Sequence, residues 1–231
     1  RMELVRYEEY TWGSPAYENQ GPAWLERLVL RTVPEDASRA AELETGGIDL
    51  DIDVAPQHIA RLEGKGVIVT GATGVVGRRT VARLLATGAE VTGVARTAQK
   101  ARQVQEAGAT PVQLSLFDRE ALVAAVAGHD VVVNLATAIP TGEQAGQLSN
   151  WEENDRIRWE GSRNLVDAAL EADADRYVQE SVTFLYADGG DDLLDESAPV
   201  DPARVTEAAL VAEAEAARFD ELGGVGVALR F

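Results

Sequence analysis

The sequence predicts an α/β chain: a doubly wound parallel sheet over residues 65–231, preceded by a small α+β segment over residues 1–64. Three observations carry this expectation. From Lys65 onward, short apolar runs alternate with amphipathic helical stretches, the pattern of parallel strands buried on both faces. Between the first such run and the first such helix stand Gly71, Gly74 and Gly77. Residues 1–63 have a different composition, with Pro15, Pro22, Pro34 and Pro56 among Tyr7, Tyr10, Trp12, Tyr17 and Trp24.

The N-terminal segment reads as a strand at Glu3–Tyr7, a Gly/Pro-broken aromatic loop at Tyr10–Pro22 and a second strand at Arg27–Val33. A helix at Glu35–Glu44 stops at Gly46-Gly47. Ile48–Val54 then alternates apolar and acidic side chains, and Pro56–Leu62 reads as a short helix. Asp49, Asp51 and Asp53 do not make a calcium loop, because the sixth and twelfth positions counted from Asp49 are Val54 and Ala60 instead of glycine and glutamate. Three carboxylates on one strand face fit a solvated edge, and no metal is expected.

In the second part the expected strands are Val67–Thr70, Glu90–Ala95, Pro111–Leu114, Asp130–Ala136, Arg176–Ser181 and Gly224–Arg230. The expected helices are Arg78–Leu85, Ala98–Ala107, Arg119–Ala127, Asn150–Ala172 and Pro202–Leu222. Right-handed crossovers place the topological switch point between the first and fourth strands, where a ligand would sit.

Glycines at i, i+3 and i+6 between a strand and a helix have a physical use. The first makes the tight turn, the second lets backbone approach a pyrophosphate, and the third lets the helix pack close to the strand. The unpaired N–H groups and positive dipole end of the helix then face the anion. The expected ligand is therefore a dinucleotide. The second strand ends in Arg96-Thr97, with no acidic side chain for a ribose 2′-hydroxyl, and Glu90 stands at the wrong end of that strand. Arg96, with Arg78, suits a 2′-phosphate, so NADP is expected over NAD.

Composition narrows the partners. The chain has 231 residues, 45% of them hydrophobic, and a formal charge of −18, which argues against nucleic acid or an anionic membrane as partner. Cysteine is absent, so disulfides and thiolate chemistry are excluded. No apolar run approaches the ~20 residues that span a bilayer, and the first residues carry no apolar signal core. A cytoplasmic location is the resulting expectation. Trp151 and Trp159, eight apart on one predicted helix, suggest packing against a neighbour or a homodimer partner. His58 and His129 are expected at surface turns, and the acidic residues of Glu207–Glu221 on a solvated face.

Several motifs in order resemble the short-chain dehydrogenase/reductase superfamily, within it the extended and atypical NAD(P)-dependent epimerase/dehydratase branch. They are Thr70-Gly71-Ala72-Thr73-Gly74-Val75-Val76-Gly77, Asn134-Leu135-Ala136, Gly161-Ser162-Arg163-Asn164-Leu165 and Arg176-Tyr177-Val178-Gln179-Glu180-Ser181. The resemblance implies a Rossmann fold and cofactor contacts at Ala136 and Thr137 after the fourth strand. It also implies contacts at the residues closing the third strand, Ser115 and Leu116, where the family usually has an aspartate on the adenine; the nearest aspartate here is Asp118. The expected cofactor set is thus Gly71, Ala72, Thr73, Gly74, Val75, Val76, Gly77, Arg78, Arg96, Ser115, Leu116, Leu135, Ala136 and Thr137.

The same resemblance implies a tyrosine as proton carrier, its pKa lowered by a lysine four residues later. Four places after the five tyrosines stand Thr11, Ser14, Gly21, Ser181 and Gly190, so the pair is absent. Val205 and Ala209 occupy its place, Arg158 replaces the helical asparagine, and Val182 replaces the serine/threonine partner. Weak or no standard oxidoreductase activity is expected. An alternative is an NADP-dependent reductase or epimerase using Ser181, Thr183 or Tyr186 on a small-molecule substrate. Residues 1–63 resemble an interior slice of ABC-transporter solute-binding proteins, carried by Tyr10-Thr11-Trp12-Gly13-Ser14-Pro15, Arg31-Thr32-Val33-Pro34-Glu35-Asp36 and Arg39–Leu50. That slice has neither the second lobe nor the hinge, so a complete solute cleft is not expected from it; a solute-binding or interaction protein through residues 1–63 is the second alternative.

Overall fold

The computed structural model describes residues 2–10, 27–30, 65–190 and 194–231, in two compact units, Arg1–Ile59 and Ala60–Phe231. In the first unit, β1 (Met2–Val5) pairs antiparallel with β2 (Arg27–Leu30), with Met2 opposite Leu30 and Val5 opposite Arg27. β1 ends earlier than expected because the chain turns at once, Tyr10 N–H donating to Tyr7 O at 3.2 Å. The expected helices Glu35–Glu44 and Pro56–Leu62, the strand Ile48–Val54 with its three aspartates, and His58 lie outside the described residues.

In the second unit six strands form one parallel sheet in the order β5-β4-β3-β6-β7-β8. They are β3 (Gly66–Thr70), β4 (Glu90–Ala95), β5 (Thr110–Gln113), β6 (Val131–Asn134), β7 (Arg176–Ser181) and β8 (Val225–Arg230). The order reverses between β3 and β6, whose register aligns Val67 with Val131 and Thr70 with Asn134. This is the doubly wound Rossmann arrangement the apolar runs predict.

Burial on both faces explains why those runs are continuous. Ile68, Val132 and Tyr177 enter one core with Leu122 and Val126 of α3 (Arg119–Val126), Leu165 of α5 (Ser162–Glu171) and Phe219 of α6 (Glu207–Glu221). Their neighbours Val67, Val69, Val131 and Val133 enter the other, with Val81 of α1 (Val75–Ala86) and Val104 of α2 (Ala98–Glu106). Complete burial of a Val, Leu or Ile side chain contributes about 1.5–3 kcal/mol, so two such layers outweigh any local propensity.

The sheet interior also holds a closed polar network. Asn134 accepts from Thr70 Oγ1 at 2.6 Å and donates to Gln179 Oε1 at 2.9 Å, Ser162 Oγ at 3.2 Å and Tyr177 Oη at 3.2 Å. Tyr177 Oη donates to Gln179 Oε1 at 2.8 Å. Burial pushes the Tyr177 phenol far above its ordinary range, so it stays neutral and acts as a hydrogen-bonding strut.

Several expectations change in three dimensions. The single helix over Asn150–Ala172 is four pieces: a 3₁₀ turn at Leu148–Trp151, α4 (Glu152–Arg156), a π turn at Ile157–Gly161, and α5. The π turn carries an extra residue and turns Arg158 into the interior. It also breaks the spacing that would put Trp151 and Trp159 on one face. Trp151 Nε1 donates to Ala145 O at 3.0 Å, while Trp159 remains exposed. Helix α6 begins five residues later than expected, at Glu207, and its acidic residues are not all solvated: Glu213 and Glu215 are partly buried in ion pairs. His129 closes a turn, its N–H donating to Val126 O at 3.0 Å, but it is part-buried instead of exposed, with Nε2 2.8 Å from Thr92 Oγ1 and Nδ1 3.2 Å from Val126 O.

At the N-terminal edge of the sheet, Lys65 Nζ bridges Asp130 Oδ1 at 2.7 Å and Asp175 Oδ2 at 2.9 Å, clamping the entries of β3, β6 and β7. The Lys65 hydrogen bond, with a second from Gly66 N–H, holds the Asp130 carboxyl below its usual range. Its stabilising effect is therefore present above the unfolded value of about 3.9 and lost as pH falls through the lower folded value. Asp130→Asn is expected to lower stability at neutral pH and flatten the loss below about pH 4. Urea unfolding between pH 2 and 7 measures both; an unchanged acid limb would show the clamp is idle.

Candidate functional site

The turn leaving β3 is built on contacts no side chain could permit. Gly71 has φ +64°, and a Cβ there would lie 2.3 Å from Leu135 O, just past the end of β6. A Cβ on Gly77 would lie 2.1 Å from Gly71 O, so the first turn of α1 rests directly on the loop. Gly74 differs. A Cβ there would meet only Gly71 O, at 3.1 Å, and otherwise point into open space. Gly74 caps α1 without a side-chain hydrogen bond, and no acidic residue stands in its first turn. Its first N–H groups and positive dipole end are thus left for an anion.

A cleft opens beside this turn at the switch point, lined by Thr70, Gly71, Thr73, Val94, Arg96, Lys100, Leu114, Leu116, Phe117, Ala136, Thr137 and Ile157. It brings together Gly71, Thr73, Arg96, Leu116, Ala136 and Thr137 of the expected set. The others stand apart from that lining. Ala72 and Leu135 pack their side chains into the core, and Val75, Val76 and Arg78 are exposed on α1. Ser115 is exposed, its Oγ accepting from Phe117 N–H at 3.2 Å, and Asp118 caps α3 by accepting from Ala121 N–H at 3.1 Å. Leu114 and Phe117, on either side of the Ser115–Leu116 pair, supply apolar walls instead.

Sequence reasoning missed Thr70, Val94, Lys100, Leu114, Phe117 and Ile157. Lys100, one of two lysines and on the first turn after the second strand, was within reach of inspection. Phe117 and Ile157 meet only in the fold. Phe117 is also stacked beneath the Arg156 guanidinium, 3.7 Å from its ring centroid, while Arg156 bonds Glu160 at 2.8 Å. A glycine cradle with room for phosphate, a free helix N-terminus, an apolar slot and two cations fit a dinucleotide.

Beyond the cleft, the C-terminal ends of β7 and β8 carry charge where a proton relay is expected. Arg158 Nη2 bonds both Glu180 oxygens, at 2.9 and 3.1 Å, and this pair is buried. Burial outweighs the attraction of Arg158 and pushes the Glu180 carboxyl above its usual range. Burial also opposes ionisation of Glu213, but hydrogen bonds from Arg230 and Ser181 prevail and hold it below that range. Arg230 reaches Glu213 at 2.7 and 2.8 Å, and Ser181 Oγ donates to it at 2.5 Å. Tyr186 lies under Arg230, 4.7 Å from ring centroid to guanidinium, and Thr183 Oγ1 donates to Phe231 O at 3.0 Å. All three hydroxyl candidates therefore have local partners. Ala209 is buried and Val205 partly buried, and neither carries a titratable group. Asp155 is buried beside Arg204, 3.4 Å from its Oδ2, and its Oδ1 has no hydrogen-bond partner among the described residues.

A family model described as NAD(P)H-binding matches residues 71–219. The chain belongs to this NAD(P)H-binding family. A Streptomyces 3-diazoavenalumate denitrifying reductase is 36% identical over 156 residues, 64% of this chain and 50% of the relative. An L-arabinose 1-dehydrogenase (NAD(P)(+)) of Haloferax volcanii is 36% identical over 120 residues, 52% of this chain and 42% of the relative. The chain thus spans about half the length of these relatives. A short-chain dehydrogenase/reductase superfamily protein of Agrobacterium tumefaciens with bound NAD superposes with TM-score 0.58 at 28% identity, over 72% of this chain and 48% of that one. MoeE5 in complex with UDP-glucose and NAD gives 0.59 at 25% identity, over 72% and 54%. The second unit carries an NAD(P)-binding Rossmann domain of the extended short-chain dehydrogenase/reductase type. Among the described residues there is no group of three or more metal-ligating side chains and no helix long and apolar enough to cross a membrane.

The buried pair gives a test of what organises this end of the NAD(P)H-binding domain. Arg158→Ala leaves Glu180 buried without its partner and is expected to cost about 3–5 kcal/mol, whereas the double change Arg158→Met, Glu180→Leu costs much less. Urea denaturation of both variants measures the difference, and equal losses would assign the cost to packing instead of charge.

Proposed function

We propose that this chain binds NADP(H) in preference to NAD(H) and has weak or no standard oxidoreductase activity. The observation that carries the cofactor preference is the pair of cations in the cleft, Arg96 closing β4 and Lys100 on α2, with no acidic residue at the end of β4 in the chain itself. A 2′-phosphate placed there makes charge-assisted hydrogen bonds that a 2′-hydroxyl does not. Gly74 and the uncapped N-terminus of α1 would hold the pyrophosphate, and Leu114, Leu116, Phe117 and Ile157 would flank the base; Ala136 and Thr137 follow β6 on the far side of the turn. When bound, the nicotinamide supplies hydride chemistry.

The lack of a proton relay supports the second half of the proposal. Val205 and Ala209 stand where the Tyr–Lys pair is expected, and Ser181 is held by a carboxylate that is itself locked to Arg230. A carboxylate kept ionised by two guanidinium contacts is a poor proton donor at neutral pH. The substrate of a longer relative does not transfer, because about half of each relative's length lies outside the match.

Calorimetric titration of the whole chain tests the cofactor choice. NADPH is expected to bind more tightly than NADH, and Arg96→Ala to weaken NADPH alone by about 1–3 kcal/mol. Equal affinities would sink the choice. Gly74→Val places a branched side chain in the phosphate path and is expected to abolish binding of both dinucleotides while circular dichroism stays native. A folded Gly74→Val protein with undiminished affinity would move the phosphate site elsewhere.

A further inference from the structure

Arg96 is not idle in this structure. Its Nη1 lies 2.6 Å from Glu153 Oε1, a contact that joins the end of β4 to the first turn of α4. We infer that Glu153 is a specificity-determining residue of the cleft: its carboxylate competes with a ribose 2′-phosphate for Arg96 and so restrains the preference for NADP. The inference rests on the NADP reading above and deepens it.

Glu153 is tied to the rim of the cleft by this contact, because Arg96 itself lines the cleft. The neighbouring basic residue on α4 is already engaged, since Arg156 bonds Glu160 and stacks on Phe117. The Glu153 charge also acts on Arg156, but its direct hydrogen bond is to Arg96. In a site suited to NAD an acidic side chain comes from the end of the second strand. Here that position is basic and the carboxylate arrives from another element, 57 positions along the chain.

The pair is built to exchange. Side-chain exposures of 50% and 48% leave both ions well hydrated, so separating them costs little compared with a buried pair. An incoming 2′-phosphate offers Arg96 up to two negative charges and three acceptor oxygens against one carboxylate. It also meets repulsion from Glu153 at short range, where solvent screening is incomplete. Among the described residues the Lys100 ammonium has no hydrogen-bond or ion-pair partner, so it remains available to the phosphate throughout. NAD lacks the phosphate, so its binding leaves the Arg96–Glu153 pair in place. The carboxylate thus penalises one dinucleotide and spares the other, which is specificity set by a repulsive element.

Titration of the full chain with NADPH and NADH in wild type, Glu153→Gln, Glu153→Lys, Arg96→Ala and the double variant Arg96→Ala, Glu153→Gln tests this. Glu153→Gln is expected to tighten NADPH about three- to tenfold, with Glu153→Lys larger still and NADH changed less than about twofold. The gain should shrink when Arg96 is already alanine, because most of it comes from freeing that guanidinium. If both Glu153 variants, shown folded by circular dichroism, bind NADPH as the wild type does, Glu153 plays no part and the proposal falls while the NADP reading stands. If wild type shows no NADPH preference and Arg96→Ala changes nothing, the NADP reading itself fails and takes this proposal with it.

Discussion

The approach of Gly71 backbone to Leu135 O is the constraint on which the rest of the domain turns. It fixes the end of β3 against the end of β6 at the point where strand order reverses, and Gly77 then seats α1 on the same loop. Any Cβ at either position would fall inside van der Waals contact with backbone, which has no rotamer with which to move away. Because these two glycines press the loop inward, Gly74 is left facing outward over an uncapped helix terminus. The outward-facing turn at Gly74 is thus a consequence of close packing behind it.

A second constraint lies in the buried polar atoms. Asn134 ties β3, β6, β7 and α5 through four side-chain partners, and each would carry a desolvation penalty if left unmatched. This network sits directly below the cleft floor, since Thr70 both lines the cleft and donates to Asn134. At the far end of β7 the polar requirement is met by ions instead. Arg158 with Glu180, and Glu213 with Arg230 and Ser181, leave each carboxylate with cationic donors and bind Ser181 to Glu213. This end of the sheet is committed to ion pairing.

Much of the fold was legible because parallel strands and glycine turns are local signals. The expected strands Glu90–Ala95 and Arg176–Ser181 coincide with β4 and β7, and the triad at 71, 74 and 77 stands between β3 and α1. Less legible were features that local periodicity cannot encode. The π turn at Ile157–Gly161 reads as continuous helix because its residues have ordinary helical preferences; what makes room for it is the inward Arg158 and its bond to Glu180, 22 residues away. The acidic face of α6 looked solvated because nothing local marks that Arg230 would reach Glu213, although Glu215 and Arg218 form an i,i+3 pair within the helix.

By itself the sequence determined the doubly wound class, the order of strands and helices, the glycine cradle and the absence of a Tyr–Lys pair, because each depends on residue type at short spacing. Tertiary structure decided which side chains converge on the cleft. It set Lys100, Phe117 and Ile157 around the slot, withdrew Ser115 and Asp118 to local hydrogen bonds, and brought Glu153 onto Arg96. The physical reason is that cleft composition depends on crossovers that bring together residues tens of positions apart. Where two side chains meet is fixed by how the layers pack, and no periodicity along the chain records it.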